Sequence, residues 1–334
     1  MKKVLVFLTV LLFAVGALAM AGGQQEAGDD GRMKVGVIQI TLEHEYQLIL
    51  NQGYKDKAEE MGVDVEFSIT EMSPEKTVTA AENLIAAGCD AIIAAPADTA
   101  SWKAVENICM ENDVVLANDG SPQKLTGNFI PFIGTESYYG GQRAGEFAVN
   151  WIESNLPDED IVIAHLTLPT FTDCVQRNKG FAEYLEENMT RDYEIYDEAG
   201  MGTREGGLKA MENLLQAHPD INVVFGCNDD SALGALSAMK AAGKTDEENL
   251  VIGFDGALKG FEEIMKEGMF RADIVQQPYL YAGMLMERAV KVARGEAELS
   301  DYVDEGIILI ETPVVTIDNA QEWYDKYSQY MPEG

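Results

Sequence analysis

Basic residues and histidine are scarce in this chain. Lys and Arg together number 24 against 57 Asp and Glu in 334 residues, a formal net charge of −33. This excess of negative charge repels nucleic acid and anionic lipid. The segment before Lys34 also offers no helical DNA-binding module, so a nucleic-acid partner is not expected. Only three histidines are present, and the cysteine spacings match no metal motif, so we expect neither metal nor cofactor.

Motifs of catalysis are also lacking. The sequence contains no GxxxxGK[ST] loop, no GxSxG elbow and no HExxH pair. The run Gly200–Gly206 resembles a dinucleotide fingerprint, but its third glycine falls one position too late. His165 and His218 have no partners at triad spacing. A nucleotide-using α/β enzyme is therefore the disfavoured alternative.

Cysteine is limited to Cys89, Cys109, Cys174 and Cys227. Four cysteines in an exported protein allow disulfides. Isolated, small core residues are the favoured interpretation, and the pairing stays open.

The first residues predict export. Lys2 and Lys3 precede an apolar run, and Ala17-Leu18-Ala19 or Ala19-Met20-Ala21 offers a small-residue cleavage site. A membrane anchor is the alternative, although Thr9 and Gly16 interrupt the run. No Cys stands at the cleavage site, as a lipoprotein would need. We predict a signal peptide over 1–21, a disordered polar leader over 22–32 and a soluble periplasmic or secreted protein.

Beyond the leader, short apolar strands alternate with amphipathic helices. This spacing predicts parallel sheets covered on both faces. About 300 residues exceed what one core usually supports, so two domains are expected. Predicted strands are 35–40, 63–69, 91–95, 114–117, 161–166, 194–199, 223–226 and 251–254, and predicted helices are 46–61, 75–87, 101–112, 138–155, 173–187, 205–217 and 230–242.

Polar side chains follow three of the apolar runs. Asn228 ends the run Val223–Cys227, Asp255 follows Gly253-Phe254, and Gln276 follows Ile274-Val275. The carboxyl ends of parallel strands are where open α/β sheets bind ligands. An amide and a carboxylate together read neighbouring hydroxyls. The competing interpretation is helix capping, which Asp229 or Asp230 could supply in place of Asn228, and a hinge role for Gln276.

The order Asn-Asp-x-x-Ala-Leu-Gly-Ala-Leu, Gly-Phe-Asp-Gly and Gln-x-Pro resembles the periplasmic ribose-binding protein family from about Lys34 to Asp318. Ile133–Glu136 and Tyr139–Glu146 resemble that family's first lobe crossing and the helix after it. The resemblance implies two doubly wound parallel-sheet lobes joined by a three-strand hinge, with crossings near 135–136, 276–278 and 306–309. The implied lobes are 33–135 plus 277–307 and 136–276 plus 308–330, closing on ligand by hinge motion.

The resemblance implies further cleft residues. Asn118 and Asp119 follow a strand whose end faces the cleft, and Asn118 is favoured for ligand contact over Asp119. In the loop after the first strand, His44 and Tyr46 occupy slots where relatives place sugar-binding side chains. A ring with a polar tip suits a sugar face, whereas His44 could be only an exposed loop residue.

The clearest departure lies at Pro169–Phe181. Two family pocket arginines are replaced by Asp119 and Val175, and Arg177 aligns with an arginine that is more often structural. The Pro-Thr-x-Thr-Asp run instead resembles the autoinducer-2 receptor branch, in which that Asp, here Asp173, touches the ligand. The alternative interpretation is that Asp173 is the N-cap of the helix that follows.

The resemblance implies a monomeric receptor that delivers a neutral sugar or polyol to an ABC permease, with sensing through a chemoreceptor or an autoinducer-2-like ligand as alternatives. The identity of the sugar, and the choice between transport and chemotaxis, stay open.

Overall fold

The computed structural model describes residues 31–41, 44–71, 73–95, 97–120 and 127–331. The predicted signal peptide, and the leader up to residue 30, lie outside these ranges. None of the described helices combines the length and apolarity needed to cross a membrane.

Strands and helices alternate along nearly the whole described chain, as the apolar periodicity predicts. In chain order the elements are β1 Lys34–Gln39, α1 Glu45–Met61, β2 Asp64–Ile69, α2 Pro74–Ala86, β3 Ala91–Ala94, α3 Thr99–Glu111, β4 Val115–Asn118, β5 Ile133–Thr135, α4 Ser137–Asn155, β6 Ile161–Thr167, α5 Thr172–Asn188, β7 Tyr193–Ala199, α6 Arg204–Ala217, β8 Val223–Gly226, α7 Asp229–Ala241, β9 Leu250–Asp255, α8 Leu258–Ile264, β10 Phe270–Val275, α9 Pro278–Ala293, α10 Leu299–Glu305, β11 Ile308–Ile310, β12 Val314–Val315 and α11 Ala320–Ser328.

Two parallel sheets carry the described fold. The first has the order β2-β1-β3-β4, and the second β12-β10-β9-β8-β6-β7, in which only the short β12 runs antiparallel. In each sheet the order reverses beside the first strand, between β1 and β3 and between β6 and β8. Such switch points open a crevice at the carboxyl ends of the strands, and ligands bind there. The two doubly wound sheets predicted from the sequence are confirmed.

Each sheet is covered on both faces by its own apolar cores. On the first sheet, α1 and α9 pack around Tyr54 and Leu285, and α2 and α3 pack around Trp102 on the other face. On the second, α4 and α5 cover the side that contains Phe181, and α6, α7 and α8 cover the side that contains Phe261. Strands buried on both faces explain the nearly continuous apolar runs in the sequence.

A third, two-stranded parallel sheet joins β5 to β11, with Ile133 opposite Ile308 and Thr135 opposite Ile310. The Thr135 hydroxyl donates to Oε1 of Gln276, at the end of β10. The three segments predicted to cross between the lobes therefore meet at one place. The residue bounds assigned to each lobe stay a prediction.

Glycines let α4 and α5 approach closely on the second sheet. A Cβ built on Gly141 would lie 2.0 Å from the carbonyl oxygen of Arg177, and one on Gly180 would lie 2.0 Å from that of Tyr138. A real side chain at either position would force the helices apart. This contact fixes the first turns of α5, which carry Asp173 and Arg177.

Candidate functional site

A cavity of about 460 Å³ lies where strand ends of the two large sheets face each other. The first sheet contributes residues at or after the ends of β1, β3 and β4, and the second contributes residues at or after the ends of β6, β8, β9 and β10. Seven of the eight residues predicted from the sequence line this cavity: His44, Tyr46, Asp119, Asp173, Asn228, Asp255 and Gln276. The eighth, Asn118, does not.

Asn118 is turned away from the cavity. It is the last residue of β4 and only 1% exposed, and its Oδ1 accepts a hydrogen bond from the amide of Gly120 at 2.8 Å. Successive residues at a strand end point to opposite sides, so one of the pair Asn118–Asp119 must face inward. The structure places Asp119 at the cavity, although the sequence favoured Asn118.

One carboxyl oxygen of Asp119 is available to accept a hydrogen bond from a ligand. Its Oδ2 accepts from Nε2 of Gln39 at 3.4 Å, while its buried Oδ1 has no partner among the described residues. Burial raises the pKa of Asp119 to about 7, although the nearby Tyr54 hydroxyl and the hydrogen bond from Gln39 act in the opposite direction. A buried acceptor without a partner is costly unless a ligand satisfies it.

The ring of Tyr46 lies on the same side of the cavity. Its hydroxyl is hydrogen-bonded to that of Tyr281 on α9. The polar tip expected to serve a ligand is therefore already held by the protein, and the ring remains for apolar contact.

Arg177 and Asp255 form the ionic centre of the opposite side. Nη1 of Arg177 lies 3.0 Å from Oδ1 of Asp255 and 2.8 Å from the carbonyl oxygen of Cys227. The guanidinium also stacks over the ring of Phe254, 4.0 Å from its centroid. Arg177 therefore lines the cavity, although its alignment favoured a structural role. Its spacing of one helical turn from Asp173 was the signal that both share one face of α5.

The backbone of Asp255 is strained, at φ 145°. A non-glycine residue in this region costs about 1–3 kcal/mol, and such residues cluster at functional sites. Burial raises the pKa of its carboxyl group, against the opposing effects of Arg177 and the hydrogen bond from Gln276. Nε2 of Gln276 donates to Oδ1 at 2.5 Å, the same oxygen that Arg177 contacts. Both protein contacts therefore fall on one oxygen of the carboxyl group.

Asn228 is the N-cap of α7. Its Oδ1 accepts from the amide of Ser231 at 3.2 Å, and its Nδ2 donates to the carbonyl of Gly202 at 2.9 Å. The suggestion that Asp229 or Asp230 caps this helix is wrong, because those side chains have other partners. Asn228 still lines the cavity, but the protein already uses both atoms of its amide group.

Asp173 does not cap α5, since the N-cap position is Phe171 and no side chain bonds there. Its Oδ1 instead accepts from the hydroxyl of Ser137 at 3.2 Å. Burial raises the pKa of Asp173, although Arg177 and Ser137 oppose the shift. The N-cap alternative for Asp173 is therefore wrong, and its carboxyl group faces the cavity.

His44 connects the two sides of the cavity. Its Nδ1 lies 2.7 Å from Oδ2 of Asp230 on α7, and Nε of Arg204 lies 3.3 Å from Oδ1 of the same carboxyl group. Burial raises the pKa of Asp230, but the hydrogen bond to His44 and the charge of Arg204 outweigh it and hold this pKa below its usual value. His44 is therefore not simply an exposed loop residue.

A pair of buried acids supports the loop after Asp255. Oδ2 of Asp229 accepts from the amide of Ala257 at 2.7 Å, and Oδ1 of Asp273 accepts from that of Gly256 at 3.2 Å. Burial raises the pKa of both, that of Asp273 to about 7. Sequence alone did not reveal this support, because the two acids lie 44 positions apart.

These acids predict how stability changes with pH. A carboxyl group whose pKa is higher in the folded protein than 3.8 stabilises the fold while protonated. The ligand-free protein is therefore expected to lose free energy of unfolding as the pH rises from about 4 to about 7. The loss is about 1.4 kcal/mol for each pH unit by which the pKa in the folded protein exceeds that in the unfolded chain. Asp273→Asn should lessen this loss, measured by urea unfolding across that range.

Asp197→Asn is the control for this experiment. The hydrogen bond from His165 lowers the pKa of Asp197, so removing its carboxylate cannot reduce a loss that accompanies rising pH. An Asp273→Asn slope equal to that of the wild type would contradict the assignment.

Among the described residues, no group of three or more His, Cys, Asp or Glu is arranged to hold a metal ion. What the cavity offers is hydrogen-bonding groups at fixed positions on two facing walls, beside an aromatic ring.

Comparison with known proteins agrees with this geometry. The periplasmic binding protein domain matches residues 35–297. The ribose import binding protein of Bacillus subtilis is 29% identical over 304 residues, covering 88% of this chain and 94% of the relative. A protein of Mycobacterium smegmatis solved with β-D-fucofuranose is 26% identical, with a TM-score of 0.77 over 90% of this chain and 97% of that one. A solute-binding protein of Bacillus halodurans solved with myo-inositol is 25% identical, with a TM-score of 0.74 over 90% of this chain and 100% of that one.

The family model spans most of the chain, and the two facing sheets with a cavity at their strand ends agree with it; the chain belongs to the periplasmic binding protein family.

Proposed function

We propose that this chain is an exported receptor that binds a neutral sugar or polyol between its two lobes and delivers it to an ABC permease. The observation that carries the proposal is the set of acidic oxygens around the cavity, with Asp119 on one side and Asp173 and Asp255 on the other. Ionised carboxylates accept hydrogen bonds from hydroxyl groups. The chain is a binding protein and not an enzyme, since the relatives that it matches are binding proteins.

The charge of the cavity favours a neutral ligand. Three aspartates line it with Arg177, and Arg177 is already paired with Asp255. A phosphate or carboxylate group would meet the remaining acids and be repelled. A hydroxyl group carries no charge and can donate to the oxygens of these acids. Burial already raises the pKa of Asp119 to about 7 and that of Asp173 above its usual value, so further negative charge beside them is unfavourable.

The names of the relatives support the same class. Ribose, fucofuranose and myo-inositol, named for the three relatives above, are neutral polyhydroxylated rings of five or six atoms. The lining of Tyr46 and Phe171 offers apolar surface for the ring carbons, and the acids offer acceptors for its hydroxyls.

An autoinducer-2-like receptor used in sensing is the second candidate. The observation in its favour is that Asp173, from the Pro-Thr-x-Thr-Asp run, faces the cavity. We also propose that the receptor is a monomer and that its ligand-bound form docks on a chemoreceptor. Both points are tested on the purified protein.

Thermal-shift screening of the mature chain tests the proposal. The panel contains neutral pentoses, hexoses, alditols and cyclitols, together with nucleotides and peptides. A sugar or polyol at 1,000 times its dissociation constant is expected to stabilise the protein by about 4 kcal/mol. A panel in which only nucleotides or peptides raise the melting temperature would overturn the proposal.

The His44–Asp230 pair is expected to favour the closed arrangement that holds ligand. Both side chains are partly exposed, 35% and 28%, so the pair contributes only about 1 kcal/mol. His44→Gln should therefore weaken binding of the panel sugar roughly fivefold, since about 1.4 kcal/mol is one decade. Arg204→Gln is the control and should bind as tightly as the wild type. Arg204 bonds the same carboxyl group of Asp230, but it does so from α6, which covers the same sheet as Asp230. Calorimetric titration that finds His44→Gln as tight as the wild type would contradict this role.

A further inference from the structure

Two of the four cysteines, Cys174 and Cys227, are neighbours at the cavity, Cys174 in its lining and Cys227 behind it. Sγ of Cys174 is 3.9 Å from the carbonyl oxygen of Cys227. Cys174 lines the cavity, whereas Cys227 is fully buried. The sequence favoured isolated core cysteines, but these two are neighbours. One cysteine lines the cavity and the second lies beside it, and thiol–disulfide exchange requires two such neighbouring thiols.

The surroundings of the pair assign different roles to the two thiols. Cys174 is the third residue of α5, where free amides favour an anion. The neighbouring Cys227 thiol lowers the pKa of Cys174, and the charge of Arg177 acts in the same direction against burial, Asp255 and Asp173. The Cys174 thiol, with burial, raises the pKa of Cys227. Because Cys174 lines the cavity at the start of α5 and Cys227 is fully buried, Cys174 is the attacking thiol and Cys227 the resolving one.

The other two cysteines lack these features. Cys89 and Cys109 are buried in the apolar core on the first sheet and do not line the cavity. Burial raises the pKa of Cys89 to about 11 and that of Cys109 to about 12. Reactivity toward a molecule in the cavity is therefore confined to one pair, and the chain contains its own control.

We propose that Cys174 and Cys227 form a redox-active dithiol that reacts with small organic disulfides entering the cavity. The thiolate of Cys174 attacks one sulfur, forms a mixed disulfide and expels a thiolate, which takes up the proton that Cys174 lost. Cys227 then loses its proton and attacks the sulfur of Cys174, which releases the second thiol. Two electrons pass to the small disulfide, and the products are a Cys174–Cys227 disulfide and two thiols.

The disulfide between Cys174 and Cys227 would act directly on the ion pair of Arg177 and Asp255. Arg177 follows Cys174 by three residues on α5, and its Nη1 binds both the carbonyl of Cys227 and the carboxyl group of Asp255. Drawing Cys174 and Cys227 together displaces this guanidinium. We expect the oxidised protein to bind its panel sugar at least tenfold more weakly. This consequence rests on the proposed function, whereas formation of the disulfide does not.

Mass spectrometry of the wild-type protein tests the disulfide without any ligand. The folded protein is incubated with 2-hydroxyethyl disulfide, alkylated and digested with trypsin. The four cysteines fall in separate tryptic peptides, 77–103, 104–124, 144–177 and 210–240. A product joining 144–177 to 210–240, reversed by dithiothreitol, is expected, while the other two peptides are recovered alkylated. Absence of that product, or equal reaction of Cys89 and Cys109, would overturn the proposal.

Calorimetry of the oxidised and reduced forms tests the consequence. The probe is the sugar that stabilises the reduced protein most in the panel, and Cys89→Ser/Cys109→Ser serves as the background. Equal affinity of the two forms would refute coupling between the dithiol and the cavity. If no sugar bound the reduced protein, the proposed function would fail, and the mass result would still decide whether the disulfide forms.

Discussion

Replacing Asp255 by asparagine is expected to weaken binding of the panel sugar by thirtyfold to a hundredfold. The variant keeps the shape of the side chain but removes the charge that faces Arg177 at 3.0 Å. It also offers a ligand hydroxyl a weaker acceptor than a carboxylate. Loss of a charge-assisted, buried hydrogen bond costs about 2–3 kcal/mol, and about 1.4 kcal/mol is one decade in affinity. Calorimetric titration measures the change.

Asp197→Asn is the matched control for Asp255→Asn. Asp197 also hydrogen-bonds a basic side chain, Nδ1 of His165 at 3.0 Å, but it is 69% exposed and does not line the cavity. The Asp197→Asn variant should bind the panel sugar with the same affinity as the wild type. Unchanged affinity in Asp255→Asn would remove this carboxylate from the binding site.

Replacing Arg177 by methionine is expected to lower the free energy of unfolding by about 3–5 kcal/mol, because breaking a buried ion pair leaves an uncompensated charge. Arg177 is only 5% exposed and faces both Asp255 and Asp173. Urea unfolding of the ligand-free protein measures the loss. Binding of the panel sugar should fall as well, since the wall of the cavity loses the group that holds Asp255.

Lys179→Met is the control for Arg177→Met. Lys179 lies on the same helix, two residues away, but it is 56% exposed and 3.7 Å from Glu183. An exposed pair contributes about 0–1 kcal/mol. The double variant Arg177→Met/Asp255→Asn should recover part of the stability, because the unpaired charge is gone. A loss in Arg177→Met no larger than in Lys179→Met would contradict the buried-pair assignment.

Much of the fold was predictable because its signals are local. The buried strands β3, β8 and β9 are short apolar runs ended by polar residues, and each precedes a helix-forming segment. The short helices α8 and α10 were not predicted, since seven residues carry too little periodicity to distinguish them from loops. The antiparallel β12, of two residues, also gave no signal.

The cavity was predictable where a residue's position depends only on its strand end. Asp255 is the last residue of β9 and Gln276 directly follows β10, and both face the cavity for that reason. Residues whose orientation depends on packing were harder to place. The choice between Asn118 and Asp119 depends on which of these two successive residues faces the cavity at the end of β4. Arg177 turns inward because Gly141 and Gly180 let α5 pack closely on α4.

The contacts made through the tertiary fold could not be deduced from the chain at all. His44 and Asp230 lie 186 positions apart. Cys174 and Cys227 are 53 apart, and no motif links them. The first pairing follows from how the two sheets face each other and the second from how α5 packs beside β8, and sequence spacing encodes neither.

A crystal structure with the panel sugar that gives the largest thermal shift tests the central claim most directly. We expect one sugar per chain in the cavity, with hydroxyls bonded to Asp119 on one side and to Asp173 and Asp255 on the other, and with its ring against Tyr46. A sugar bound outside this cavity, or one that touches residues of a single sheet only, would contradict it.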